Sequence, residues 1–357
     1  MLKNKINTLP FYILFIIIFI IFIKFSTEKV LANSYKVSDI EISEPYNLNF
    51  SKEKVIDVAF ENAFEELIFT LLTSEYYYLN KDVNIKVIKS LIDSFSIVDE
   101  KFIDKKYIAN FDVNFNKREV LNYLYKNNIY ASIPQKKKLF LLPILVDTNQ
   151  SDISLLSENP FYLNWTKFNK KYHLLDYVLP NEDLDDLNII KNNINNLEDY
   201  KFKEIITKYQ LKDYIIIILF KNEKSIRVLT RIKFNNEFIL LNENFQYKSI
   251  DDDIELIINS LKISYENSWK KINLINTSIK LPITISLDSS KFSLIKKFEN
   301  KIKNMDLVYN YYIESFSNNE LIYKIVYNGT PNKFLEEFNP ENIKVDFTNN
   351  VWKINEN

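Results

Sequence analysis

The 357-residue chain has no cysteine, one glycine and one histidine. The lack of cysteine excludes disulfide staples, thiolate zinc sites and cysteine nucleophiles. His173 alone cannot make a two-histidine metal site, and no Gly-x-Ser-x-Gly elbow accompanies it for Ser-His-Asp chemistry. A single glycine, Gly329, cannot build a phosphate-cradling loop, which needs several. No cofactor or metal is expected on these grounds. Alanine is down to five, and arginine to Arg118, Arg227 and Arg231, against many lysines, asparagines and isoleucines. A coding bias toward AT-rich codons accounts for that excess, so a glycine or arginine that survives it has a structural reason to be there. The net charge of −1 gives no overall pull toward nucleic acid or anionic lipid, and no nucleic-acid partner is expected.

What the chain does have is apolar mass. It is 46% hydrophobic and 15% aromatic, enough for packed cores and inconsistent with bulk disorder. The amino terminus carries Lys3 and Lys5, an apolar run from Phe11 to Ile23, then Lys24 and a stretch ending Val30-Leu31-Ala32 before Asn33. This layout predicts a secretory signal peptide over residues 1–32. The run is shorter than the roughly 20 apolar residues of a full span. An uncleaved membrane anchor is the alternative, and it gives the same orientation. Either way the body is expected outside the inner membrane, in the periplasm or facing it.

Three units follow. In the first, 33–133, Tyr35 to Ser43 alternates as a strand, and Ser51 is placed to cap a helix. Ile56, Phe60, Ala63, Phe64, Leu67, Ile68 and Leu71 repeat at helical spacing, a core-facing stripe. A short helix near Val83 to Leu91, strands over Asp93–Asp99 and Tyr107–Phe115, and a helix capped by Asn116 with Glu119 complete a βααββα unit. In the second, 137–273, Leu139–Asp147 and Asp213–Phe220 are continuous apolar runs, as for strands buried on both faces. A helix over Tyr200–Tyr209 and alternating strands over Ile226–Phe234 and Glu237–Phe245 are expected. Asp251, Asp252 and Asp253 open a long helix, where carboxylates oppose the dipole favourably. They lack the spacing and the turn glycine of a calcium loop. In the third, 278–357, a strand over Leu281–Leu287, a helix capped by Ser289 or Ser290, strands over Leu307–Phe316 and Leu321–Tyr327, a short helix to Phe338 and a strand over Ile343–Val351 read as βαββαβ. The expected fold class is α+β or mixed α/β: three small sandwich domains in series, the last a ferredoxin-like split βαβ.

Few residues invite a functional reading. Gly329, followed by Thr330-Pro331, is read as a structural turn residue, with a positive φ or too little room for a Cβ beside a neighbouring backbone. "NPFYLNW" bunches Pro160, Phe161, Tyr162 and Trp165 behind Asn159, a helix start in which Phe161 and Trp165 share a face. A functional alternative places Asp147, Asn159 and Trp165 at a ligand cleft beyond the carboxyl end of the first strand of the middle unit. Tyr76-Tyr77-Tyr78 and Tyr311-Tyr312 have no basic patch beside them that would mark nucleic-acid binding.

The exported start, "IDSFSIVDEKFIDKKYIANFDVNFNKREVLNYL", the pair "LFLLPILVD" and "NPFYLNW", "LDYVLPNEDLDDLN" and the terminal "IVYNGTPNKFLEEF" together resemble the domain of unknown function 2066 family of bacterial envelope proteins. The resemblance is strongest from Ile92 to Asn188. It implies export and the domain boundaries and assigns no activity. Export, the serial α/β units and the lack of catalytic residues lead to an expectation of envelope protein partners. The middle unit is also similar to α/β domains of periplasmic proteins in the Tol and flagellar-assembly systems. The resulting expectation is a non-enzymatic envelope assembly or interaction module, in contact with the inner membrane if the amino-terminal segment is retained. A ligand-binding or hydrolytic protein with the Asp147–Trp165 cleft is the alternative, and a self-associating surface component a third reading.

Overall fold

Alternating apolar residues give the first unit its sheet. Val37, Ile40 and Ile42 of β1 (Ser34–Pro45) turn inward onto α1 (Lys52–Leu71), which buries Ala59, Phe60, Ala63, Phe64, Leu67 and Leu71. Ser51 accepts the Lys54 N–H at the start of α1, as its position predicts. After α2 (Ile85–Leu91) the chain forms a long hairpin, β2 (Ile92–Ile103) and β3 (Lys106–Asn116), and ends in α3 (Lys117–Lys126). The sheet order is β1-β3-β2, antiparallel throughout. Asn116 caps α3 by accepting the Glu119 N–H at 3.1 Å. The Glu119 carboxylate pairs instead with Arg118, so only half of a capping box forms. The computed structural model describes residues 34–80, 83–149, 152–181, 183–338, 343–348 and 351–356. The signal-like segment, from Lys3 to Asn33, lies outside the described residues. Among the described residues no helix is long and apolar enough to cross a membrane.

The middle unit is a mixed sheet covered on both faces. Its chain order is β4 (Lys137–Asp147), β5 (Asp152–Ser154), α4 (Pro160–Asn164), β6 (Leu175–Val178), α5 (Leu184–Asn192), α6 (Lys203–Lys208), β7 (Tyr214–Lys221), β8 (Ser225–Phe234), β9 (Glu237–Gln246) and α7 (Ile250–Ile272). Strands β4 and β7 pair in parallel at the centre, and β8 and β9 extend the sheet antiparallel to a free edge at β9. The other edge of β4 is shared by β6, parallel near its start, and β5, antiparallel near its end. The continuous apolar run of β4 divides by parity. Leu139, Leu141 and Leu145 join Trp165, Tyr265 and Trp269 under α4 and α7, while Phe140, Leu142 and Ile144 join Ile190, Ile205 and Ile206 under α5 and α6. Helix α6 begins only at Lys203, because Phe202 just before it holds a left-handed backbone with φ 49°.

The last unit comprises β10 (Leu281–Leu287), α8 (Phe292–Lys303), β11 (Val308–Phe316), β12 (Leu321–Tyr327), α9 (Pro331–Phe338), β13 (Ile343–Thr348) and β14 (Val351–Glu356). Neither Ser289 nor Ser290 caps α8. Ser289 bonds the Asn318 carbonyl, Ser290 bonds Asp288, and Lys291 takes the cap position without a side-chain bond. The expected single closing strand is a hairpin. Its second arm, β14, lies parallel to β10 and leaves β13 outermost, giving the order β11-β12-β10-β14-β13. A split βαβ sheet would put an antiparallel strand beside β10, so the hairpin changes that edge.

The first and last units share one apolar core, which runs from Tyr35 through Phe64 and Phe115 to Phe298, Tyr323 and Ile354. Across the joint, Tyr309 donates to Asn122 at 3.0 Å and Lys117 faces Asp306 at 3.5 Å. The two connections to the middle unit run side by side, bridged at Ser132 and Leu274, with the Ile275 N–H on the Ala131 carbonyl.

Candidate functional site

Gly329 does not have a positive φ, so the turn needs no left-handed glycine. The reason for glycine is space: a Cβ there would lie 2.6 Å from the Tyr327 ring. That ring is fully buried and packs edge-on against Phe334 at 5.1 Å, so it cannot step aside. The close neighbour is a side chain two residues back in the chain, where a neighbouring backbone was expected. Left-handed backbone occurs elsewhere, at Asp39, Asp104, Lys105, Asn128, Leu156, Phe202, Gln210 and Asn235. In a chain so short of glycine, Asp and Asn carry half of these positions, as their short polar side chains allow.

The residues of the expected cleft are dispersed. Asn159 is fully buried; its amide donates to the Pro143 carbonyl at 3.1 Å and its oxygen accepts the Phe161 N–H at 2.9 Å. It caps α4, with Pro160 in the first turn. Trp165 is also fully buried, with ring centroids 5.5 Å from Tyr177 and 6.1 Å from Tyr265. Tyr177 sits opposite Leu139, at the start of β4. Asp147 is at the other end of that strand, partly exposed and 3.4 Å from Lys221. At about 3.3 Å per residue, Leu139 and Asp147 are roughly 26 Å apart along β4. Core packing and capping account for Trp165 and Asn159, and these residues do not converge on one cleft with Asp147.

Helix α7 carries a feature the sequence reading passed over. Lys262, Glu266 and Lys270 are spaced by four, and all three are buried. The Lys262 ammonium donates to the carbonyls of Trp165 at 2.7 Å and Phe168 at 3.2 Å, and to Asn169 Oδ1 at 2.5 Å. The Lys270 ammonium donates to the carbonyls of Phe69 at 2.5 Å and Leu72 at 3.1 Å. Between them, Glu266 Oε1 accepts the N–H groups of Leu174 and Leu175. Burial pulls both lysines down to about 8 and raises Glu266. His173 lies over this row, its Nδ1 accepting the Lys170 N–H at 3.3 Å. Burial first, then the charges of Lys262, Lys270 and Lys170, lowers it to about 4, so the ring is neutral near pH 7. Most polar bonds of this row end on backbone groups of the segments around it, with Asn169 and Tyr77 as side-chain partners of Lys262 and Lys270, and its chemistry is that of a scaffold.

An open feature of a different kind lies on the α5–α6 face of the middle sheet. A groove of about 860 Å³ runs between α6 and the free-edge strand β9. Ile206, Leu211, Tyr214 and Ile216 form its floor, and Phe238 and Leu240 of β9 stand along one wall, 73% and 66% exposed. Helices α5 and α6 cover β4 and β7 but stop short of β9, which leaves these two side chains uncovered. Its charged lining consists of five cations: Lys201, Lys203, Lys212, Arg231 and Lys233. Arg231 fixes the loop before α6, donating to the carbonyls of Tyr200 at 2.6 Å and Leu197 at 3.1 Å beneath the Phe202 ring. Lys233 lies against the rings of Tyr214 and Phe238. Lys201, Lys203 and Lys212 make no salt bridge among the described residues. An apolar floor rimmed by cations without an ion-pair partner among the described residues is complementary to an amphipathic partner bearing negative charge. The visible sequence signal is the exposed Phe238 and Leu240, on the side of β9 opposite Ile239 and Leu241, which pack into the core.

The chain matches no protein-family model and no curated protein.

Proposed function

We propose that this chain is an exported, non-enzymatic protein of the bacterial cell envelope that docks a protein segment at the groove beside β9. Its three α/β units, 33–133, 137–273 and 278–357, act as one scaffold that presents this surface, and the last is read as a split βαβ core extended by a hairpin. The single observation that carries the reading is the uncovered apolar wall of Phe238 and Leu240 beside cations with no ion-pair partner among the described residues. Export is supported by the basic, apolar and small-residue layout of the first 32 residues. The buried charges of α7 support a scaffold role, because each is spent on a backbone group.

A photo-crosslinking amino acid at Phe238, incorporated in cells, tests this. The expected result is a discrete adduct in the envelope fraction that disappears when Lys203→Glu and Lys233→Glu are combined. An adduct indifferent to the charge reversal, or no adduct at all, would sink the proposal.

A further inference from the structure

The partner chemistry that the groove requires is present on the opposite face of the same unit. Helix α7 presents Leu256, 67% exposed, and Ile263, 40% exposed, along its outer side. Asp251, Asp252 and Glu255 flank Leu256, exposed and without a salt bridge among the described residues. The outer side of the helix therefore carries two apolar side chains two turns apart beside an acidic end, the complement of an apolar floor with a basic rim. The dimensions agree. Asp252 to Ile263 spans about 16 Å of helix at 1.5 Å per residue, and Phe238 to Asn244 spans roughly 20 Å of strand. The groove side of β9 is a sheet face without a helix over it, so a helix docked there adds the layer that α5 and α6 leave incomplete.

We infer that the occupant of the groove is α7 of a second copy of this chain. The inference rests on reading the groove as a docking surface. Charge argues against the chain's own amino-terminal segment, which carries Lys3, Lys5, Lys24 and Lys29 against Glu28 alone and would face a rim of like charge. Groove and helix lie on opposite faces of one sheet, so a copy cannot satisfy itself, and each copy offers both a donor and an acceptor surface. The contact is head-to-tail, and its product is a ring or an open chain of copies.

The absence of cysteine makes the test direct, because introduced thiols have no competitors. Full-length chains carrying Leu240→Cys and Leu256→Cys are mixed and oxidised, and the products are separated without reductant. The expected result is a mixed disulfide dimer between the two variants, and a ladder of higher species when one chain carries both cysteines. Lys203→Glu with Lys233→Glu in the Leu240→Cys chain lowers the dimer yield by roughly tenfold, as lost charge complementarity requires. A yield no higher than that from pairing Leu240→Cys with Leu48→Cys, an exposed site in the first unit between β1 and α1, overturns the inference. If a thiol-reactive crosslinker on Leu240→Cys instead captures a different envelope protein in a groove-dependent way, self-docking is refuted and the docking function stands. If it captures nothing, both fall.

Discussion

Lys262 and Lys270 stand two turns apart on α7, and each ammonium closes the carbonyl end of a different helical segment. Lys262 takes the carbonyls of Trp165 and Phe168 in the middle unit, and Lys270 takes those of Phe69 and Leu72 at the end of α1. One helix thereby fastens two units through charges that would otherwise be costly to bury. Glu266, between them, lowers that cost by Coulomb attraction to both.

The fastening by Lys270 has a measurable value. Lys270→Met keeps the apolar stem but removes the donors to Phe69 and Leu72. The expected loss is about 2–4 kcal/mol of unfolding free energy, because buried acceptors are left unpaired. Lys271→Met, at the exposed neighbouring position, changes stability by less than about 0.5 kcal/mol. Urea titrations of the two variants decide it, and equal midpoints would remove the anchoring role.

The left-handed positions predict a gain. Asp104 and Lys105 link β2 to β3 with φ values of 51° and 60°, the pattern of a type I′ hairpin whose second residue favours glycine. Lys105→Gly raises the thermal midpoint, with a stability gain of about 1 kcal/mol. Gly329→Ala does the opposite. It drives a methyl group into the Tyr327 ring and lowers stability by about 1–3 kcal/mol.

Acid titrates His173. Its folded-state pKa is about 4, against about 6.5 in the unfolded chain. The contribution of the neutral ring is complete above pH 6.5 and is lost as pH falls through 4, because only the unfolded state takes up the proton in that interval. The stability difference between wild type and His173→Gln therefore shifts in favour of the variant between pH 6.5 and pH 4. Denaturation curves at pH 7.5, 5.5 and 4.5 measure it; a constant difference would show that His173 does not titrate anomalously.

Trp165 and Asp147 separate by stability. Trp165→Ala empties a fully buried site and costs about 3–5 kcal/mol. Asp147→Ala removes a partly exposed ion pair with Lys221 and costs no more than about 1 kcal/mol. Circular dichroism melts of both variants provide the comparison.

The sequence made the elements with strong periodicity legible. The stripe of α1, the doubly buried run of β4 and the caps at Ser51, Asn116 and Asn159 are found where local rules put them. What escaped was set by distant partners. Lys262, Glu266 and Lys270 immediately follow Leu261, Tyr265 and Trp269, so on α7 alone they look like the margin of the polar face. They are buried because the end of α1 and the 165–175 segment close over them. In the sequence the hairpin of β13 and β14 reads as one strand, since Ile343 to Val351 has no glycine to mark a turn. The groove is legible only once the sheet order shows that, among the described residues, β9 has no strand beyond it and no helix over its groove side.

The core shared by the first and last units also sets an order of events. It contains Tyr35 and Ile354, and polar contacts such as Asn122 to Tyr309 join residues 187 positions apart. A chain delivered amino terminus first exposes part of the first unit's apolar surface until the last strands arrive. Closing such distant contacts is slow, and an unpaired edge is vulnerable to aggregation while it waits. The unit made first is thus the one finished last. A truncation that removes only the final hairpin reaches back to the stability of β1.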